Sequence, residues 1–300
     1  MNERKTETKR LVIFLIFAFG LTWIPAIILN RTLGYKTWFE TGKVPVFTYF
    51  FGYGPALANV ITRKITHEGW HDSMLELKLK ENIRYYLFSF LAIPVISLPI
   101  GAMTTIICGK GDWSGLGEGY TIQEAVSTVL IIFASAPLMS FNTFGEEFGW
   151  RAYMNQKLES LFGTTGTVIT GGIIWGLWHA ELTVEGHNFG TDYKGYPWLG
   201  IIAMCIFCTF MGMILMWLTK KTGTVYPACI LHAMNNNGGK ILSEFLISGV
   251  DEDYELPLTE NIMIYIPIYI AGLICNKPLT INGFEWVNIS FPEFENLIII

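Results

Sequence analysis

Residues 11–30 read LVIFLIFAFGLTWIPAIILN, twenty positions without a charge. At a rise of ~1.5 Å per residue, a helix of this length spans ~30 Å, the thickness of a bilayer's hydrocarbon core. Backbone amides in hydrocarbon must find partners within their own segment, so the run is expected to be helical. Working outward, the same pattern recurs along the chain. Further uncharged runs occupy Val44–Thr62, Tyr85–Gly109, Ala125–Gly145, Leu161–Ala180 and Gly195–Thr219, and two weaker ones Thr222–Gly239 and Asn261–Asn276. Composition agrees, with 51% of residues hydrophobic and only 15% charged. The runs exceed the length of barrel strands and lack a sustained period of two. The expected fold is all-α, a polytopic transmembrane bundle of about eight helices, which excludes an ordinary soluble domain.

Positive charges set the orientation. Arg4, Lys5, Lys9 and Arg10 precede the first run, and Arg63, Lys64, Lys78, Lys80 and Arg84 follow the second. If the amino-terminal tail is cytoplasmic and each run crosses once, fourteen of the twenty basic residues lie inside and five outside. Both termini are therefore expected in the cytoplasm, with the plasma membrane as the expected location. No small-residue cleavage pattern ends the first run, so it reads as an uncleaved helix rather than a secretory signal. Cys205 and Cys208 form a C-x-x-C inside an apolar run. A redox role needs an accessible thiolate, so they read as small buried residues.

Ionisable groups within membrane spans are costly and mark function by default. They gather here in three places. The first is Gly145-Glu146-Glu147-Phe148-Gly149-Trp150-Arg151. On a helix Glu147 and Arg151 are i and i+4 and can pair. Glu146 points about 100° away from Glu147 and stays free to act as a base. The second is Trp175-Gly176-Leu177-Trp178-His179, where Trp175 and His179 share a face. Gly171, Gly172 and Gly176 on the same stretch predict close packing against a neighbouring helix. The third is His232-Ala233-Met234-Asn235-Asn236, with His232 and Asn236 again one turn apart. Glu146 and His179 each lie 16–17 positions from a turn expected near Leu161–Thr165, which places them at similar depth across a helical hairpin. That requires the helix of Glu146 to run well past Gly145. Spacing alone does not bring His232 beside them.

The three motifs, Glu-Glu-x-x-x-Arg, aromatic-x-x-x-His and His-x-x-x-Asn in this order, resemble the CPBP family of intramembrane proteases. That family includes type II CAAX prenyl endopeptidases and bacterial Abi proteins linked to bacteriocin self-immunity. The phrases EEFGWRAYM at 146–154, IWGLWHA at 174–180 and TGTVYPACILHAMNN at 222–236 carry the likeness. Trp175 departs from the pattern, which usually has Phe. The resemblance covers roughly Ala125–Gly239. It divides the chain into amino-terminal helices and loops (1–124), a CAAX-protease-like catalytic core (125–247), and a last helix with a tail (248–300).

Carried over, the resemblance implies an intramembrane endopeptidase acting on a membrane-associated peptide, lipidated or of the CAAX type. Glu146 and His179 would activate water, Glu147 would act through Arg151, and His232 with Asn236 would hold the oxyanion. The family is described both as metalloprotease and as glutamate-dependent. If a divalent metal such as zinc takes part, Glu146, His179 and His232 would be its ligands. The expected surroundings are the lipid bilayer and a peptide or protein substrate, with no nucleic acid. Two other readings share these residues. One is a non-catalytic immunity or scaffold protein, the other a proton-coupled transporter using Glu and His as relays. No repeated halves of the transporter kind are evident in the sequence.

Overall fold

The computed structural model describes residues 2–40, 51–97, 121–246 and 265–275, together with Pro99, Met103 and Ile262. The tail from 277 onward lies outside the described residues. Among those described, every regular element is helical and none is a strand. The helices are α1 (Asn2–Thr32), α2 (Gly54–Thr66), α3 (Leu79–Leu91), α4 (Ile122–Gly149), α5 (Asn155–Trp178), the single turn α6 (Ala180–Thr183), α7 (Trp198–Thr222), α8 (Tyr226–Leu246) and α9 (Ile266–Cys275).

Three described stretches are long and apolar enough to cross a membrane: Glu3–Thr32, Val129–Trp178 and Trp198–Thr222. Each of the eight apolar runs overlaps one of the helices. Several runs extend into undescribed residues, and two of them share the one stretch Val129–Trp178. The run at Thr222–Gly239 is helical from Tyr226 on, but His232 and Asn235–Asn237 interrupt its apolarity.

The hairpin forms as its spacing requires. Helix α4 runs on through a π-helical turn, Trp150–Met154, into the first residues of α5. The chain then breaks at Gly163, whose φ of 67° and ψ of 178° are open to glycine and not to a side chain. Past that break the chain folds back, so that Gly171 faces Asn155, Leu158 and Met154. Two turns of α5 then meet α7 with no room for a side chain. A Cβ at Gly172 would stand 2.4 Å from the Thr209 Cα, and one at Gly176 2.4 Å from the Cys205 Cα. Small residues thus let two backbones touch, as expected of membrane helices.

The remaining contacts place the site between helices. α4 packs on α8 and α2, α1 on α2 and α5, and α7 on α5, α8 and α9. Beneath the π-helical turn an ionic cluster ties α1, α2 and α5 together. Glu68 accepts from the Lys157 ammonium and, at 2.6 Å, from the Tyr153 hydroxyl. The Arg63 guanidinium stacks on the Trp70 and Tyr153 rings and pairs with Asp72. Burial alone would raise the carboxyls of Glu68 and Asp72. Hydrogen bonds from Lys157, Tyr153 and Thr66 to Glu68, and from Arg63 to Asp72, bring both below the ordinary range.

Candidate active site

The two adjacent glutamates part company because successive helical residues point about 100° apart. Glu147 is wholly buried. Its carboxylate lies 3.3 Å from Arg151 at both Nη1 and Nε. It also stands 2.8 Å from Nδ1 of His232. A carboxylate only accepts, so Nδ1 carries the proton and donates, leaving Nε2 toward the cavity that His232 lines. The i, i+4 pairing of Glu147 with Arg151 is therefore present, and it reaches across to α8.

Glu146 turns the other way. Its Oε2 accepts the indole N–H of Trp175 at 2.7 Å. The Nε2 of His179 stands 4.0 Å from the same oxygen. Nδ1 of His179 lies 2.9 Å from the backbone carbonyl of Trp175, four residues back. That carbonyl can only accept, so Nδ1 bears the hydrogen and, in the neutral ring, Nε2 is left as a lone pair. A gap of 4.0 Å is too wide for a direct hydrogen bond. It suits a water molecule that donates one proton to the carboxylate and one to the imidazole. A water held by two acceptors keeps its own lone pairs for a third partner.

Aromatic rings fix this geometry. The Arg151 guanidinium sits 3.9 Å from the centroid of the Trp175 ring. His232 meets the same ring edge-on at 5.4 Å. Trp178 meets His179 edge-on at 4.8 Å. Cation–π and edge-to-face contacts of this kind restrain the imidazoles without taking up their cavity-facing nitrogens.

Glu146, His179, His232 and Asn236 all line one cavity of about 400 Å³. Glu147 and Arg151 stand behind it. Part of its lining is apolar and aromatic, with Ala203, Met204 and Phe207 from α7 and Tyr265 and Tyr269 from the α9 region. Asn236 is exposed, whereas Asn235 beside it is buried with its Oδ1 unpartnered. Asn235 and Asn142 are cavity residues that the motifs did not single out. Asn142 sits one turn before Glu146, a spacing that could have flagged it. His187 also lines the cavity, from the loop after α6, with Nδ1 2.7 Å from the Tyr35 hydroxyl. Burial, with the nearby His179 adding to it, lowers His187 to about 4, so its ring is neutral near pH 7. No sequence signal pointed to it.

Among the described residues, no three His, Cys, Asp or Glu side chains converge as a metal-holding group. Glu146, His179 and His232 share the cavity, and the Nδ1 hydrogen bonds to the Trp175 carbonyl and to Glu147 leave each imidazole its Nε2, the orientation that metal-ligating histidines also adopt. As placed these three side chains do not converge, and no step below is routed through a metal. Cys208 lines the cavity 3.9 Å from His179, buried and unbridged, while Cys205 is turned to the Ile173 carbonyl.

Fold and site together define an integral membrane protein with a Glu/His/Asn cavity enclosed by its helices. Residues 125–238 match the sequence model of the family described as "Type II CAAX prenyl endopeptidase Rce1-like". A related sequence is the CAAX prenyl protease 2 of Methanococcus maripaludis, 28% identical over 164 residues. The alignment covers 54% of this chain and 58% of that relative, so the chain spans little more than half of the protein it matches. The match and the relative together support a CPBP/CAAX intramembrane protease family for residues 125–238, the family that the three motifs resemble.

Proposed function

We propose that this protein is an intramembrane endopeptidase whose catalytic core is residues 125–247. One observation carries the reading. Glu146 Oε2 and His179 Nε2 face each other across 4.0 Å, the imidazole being held so that its lone pair points inward. A water between them loses a proton to this pair as its oxygen attacks the scissile carbonyl carbon. The carbonyl oxygen becomes an oxyanion facing Asn236 and His232, which acts as the imidazolium paired with Glu147 and so donates from Nε2. Collapse of that intermediate breaks the C–N bond, and the proton taken from water passes to the leaving nitrogen. The proposed route is carried by these residues and water.

The substrate class we favour is a membrane-associated peptide, lipidated and of the CAAX type. The relative's name, CAAX prenyl protease 2, and the apolar and aromatic part of the cavity lining support it. We further propose eight spans with both termini in the cytoplasm, in the plasma membrane, supported by the distribution of Lys and Arg. The test is cleavage of a quenched lipidated-peptide panel by the purified protein, with and without chelator. Cleavage that survives chelator and is lost in Glu146→Ala and His179→Ala is expected. A folded wild type that cuts nothing across a broad panel overturns the reading.

A further inference from the structure

Trp175 occupies the position where the family pattern usually has Phe, and on sequence grounds it counts as one aromatic exchanged for another. The structure gives the indole more to do than fill space. Its N–H is the donor held by Glu146 Oε2 at 2.7 Å, inside a buried site. Its backbone carbonyl is the acceptor for His179 Nδ1 at 2.9 Å. One face of its ring carries the Arg151 guanidinium at 3.9 Å, and Arg151 in turn pairs with the glutamate that holds His232. The ring is itself 2% exposed, so water does not compete for the N–H. A phenylalanine here would keep the ring face for Arg151 and the carbonyl for His179. It would lose only the donor to Glu146.

We propose that Trp175 is a positioning residue of this chain, its indole N–H fixing the Glu146 carboxylate opposite the imidazole that its own carbonyl orients. The role rests on the hydrolase reading above. A carboxylate on a flexible two-carbon stem has several rotamers, and only one sets Oε2 opposite His179 Nε2. The hydrogen bond selects that rotamer before substrate arrives, which is preorganisation of the kind that raises kcat rather than lowering KM. The other groups around the carboxylate are Glu147 and Arg151 on its own stretch of chain, His179 from α5, His232 from α8 and Cys208 from α7. Of these, His179 stands 4.0 Å from Oε2, beyond hydrogen-bond reach, whereas the Trp175 N–H donates to it at 2.7 Å.

The decisive variant replaces Trp175 by β-(3-benzothienyl)alanine, which keeps the bicyclic shape and has sulfur in place of the N–H. Trp175→Phe is the encoded companion. Loss of one hydrogen bond to a charged group predicts a fall in kcat of about tenfold to a hundredfold with KM unchanged. An activity-independent readout accompanies it. The indole ¹⁵N–¹H resonance of Trp175, assigned by its disappearance in Trp175→Phe, should move upfield in Glu146→Ala while the other indoles hold their positions. Benzothienylalanine protein with wild-type kcat, or an indole resonance indifferent to Glu146, overturns the role. If wild type cleaves and Glu146→Gln silences it while the indole proves irrelevant, only this inference fails. A wild type that cleaves nothing overturns the hydrolase reading and the role with it.

Discussion

Glu146 and Glu147 are neighbours in sequence, and removing their charges should have opposite consequences. Glu147 is fully buried, 3.3 Å from two nitrogens of an Arg151 side chain that is itself almost wholly enclosed. Glu147→Gln keeps an acceptor for His232 but leaves the guanidinium buried with no anion. Breaking a buried pair from one side costs about 3–5 kcal/mol, and the low end is apt because the Trp175 ring still receives the cation. A loss of about 3 kcal/mol is roughly a hundredfold in the folding equilibrium. Among the described residues no Lys or Arg pairs with Glu146, and its partner donates equally well to an amide oxygen, so Glu146→Gln should leave stability unchanged or slightly higher. The assay is equilibrium unfolding in mixed micelles as the share of denaturing detergent rises. Adding Arg151→Met to Glu147→Gln should restore most of the loss, since removing both charges together is often near neutral. Glu147→Gln unfolding within about 0.5 kcal/mol of wild type, the ordinary scatter of surface substitutions, would refute the reasoning.

Gly176→Val would force a Cβ within 2.4 Å of the α7 backbone, costing about 1–3 kcal/mol. Its shift of His179 by even ~1 Å should lower kcat about a hundredfold, read by unfolding and by turnover on the same preparation. Glu181 is buried beside Asn30, which donates to its Oε1 at 2.6 Å, while its Oε2 has no partner. Burial first, then the charge of Glu185, raises its carboxyl from 4.5 to about 7, the Asn30 hydrogen bond acting the other way. The unfolded chain therefore ionises before the folded one, and stability should fall as pH climbs from 4.5 to about 7. Glu181→Gln should remove that slope in thermal melts, and an unchanged slope would count against it. Ala203 lines the cavity, and Ala203→Phe would narrow it, so KM should rise about tenfold with kcat little changed, checked by steady-state kinetics on peptides of graded bulk.

What could be read from sequence follows helical periodicity. The i, i+4 pairing of Glu147 with Arg151, the divergence of Glu146, and the depth match of Glu146 with His179 are all consequences of 3.6 residues per turn and of a reversal near Gly163. The close approach at Gly172 and Gly176 was legible for the same reason, since small residues on one face leave room for a neighbour. Which neighbour was not legible, because α7 is apolar on all sides and carries no address for α5. His232 reached the site through Glu147, a contact between α4 and α8 that no spacing encodes. His187 and Tyr35 come from loops, whose path periodicity does not describe. Trp175 is the instructive miss. Its ring was read as sharing a face with His179, and the direction of its N–H depends on where another helix places a carboxylate.

The central claim is that Glu146 and His179 act as one unit on one water. Single-turnover cleavage rates of wild type, Glu146→Gln, His179→Ala and the double variant test it most directly. Groups that act together are strongly non-additive, so each single variant should lose at least about a thousandfold and the double variant little more than either. Losses that multiply, or a single variant that keeps near wild-type rate, would show that the two residues do not share the step assigned to them.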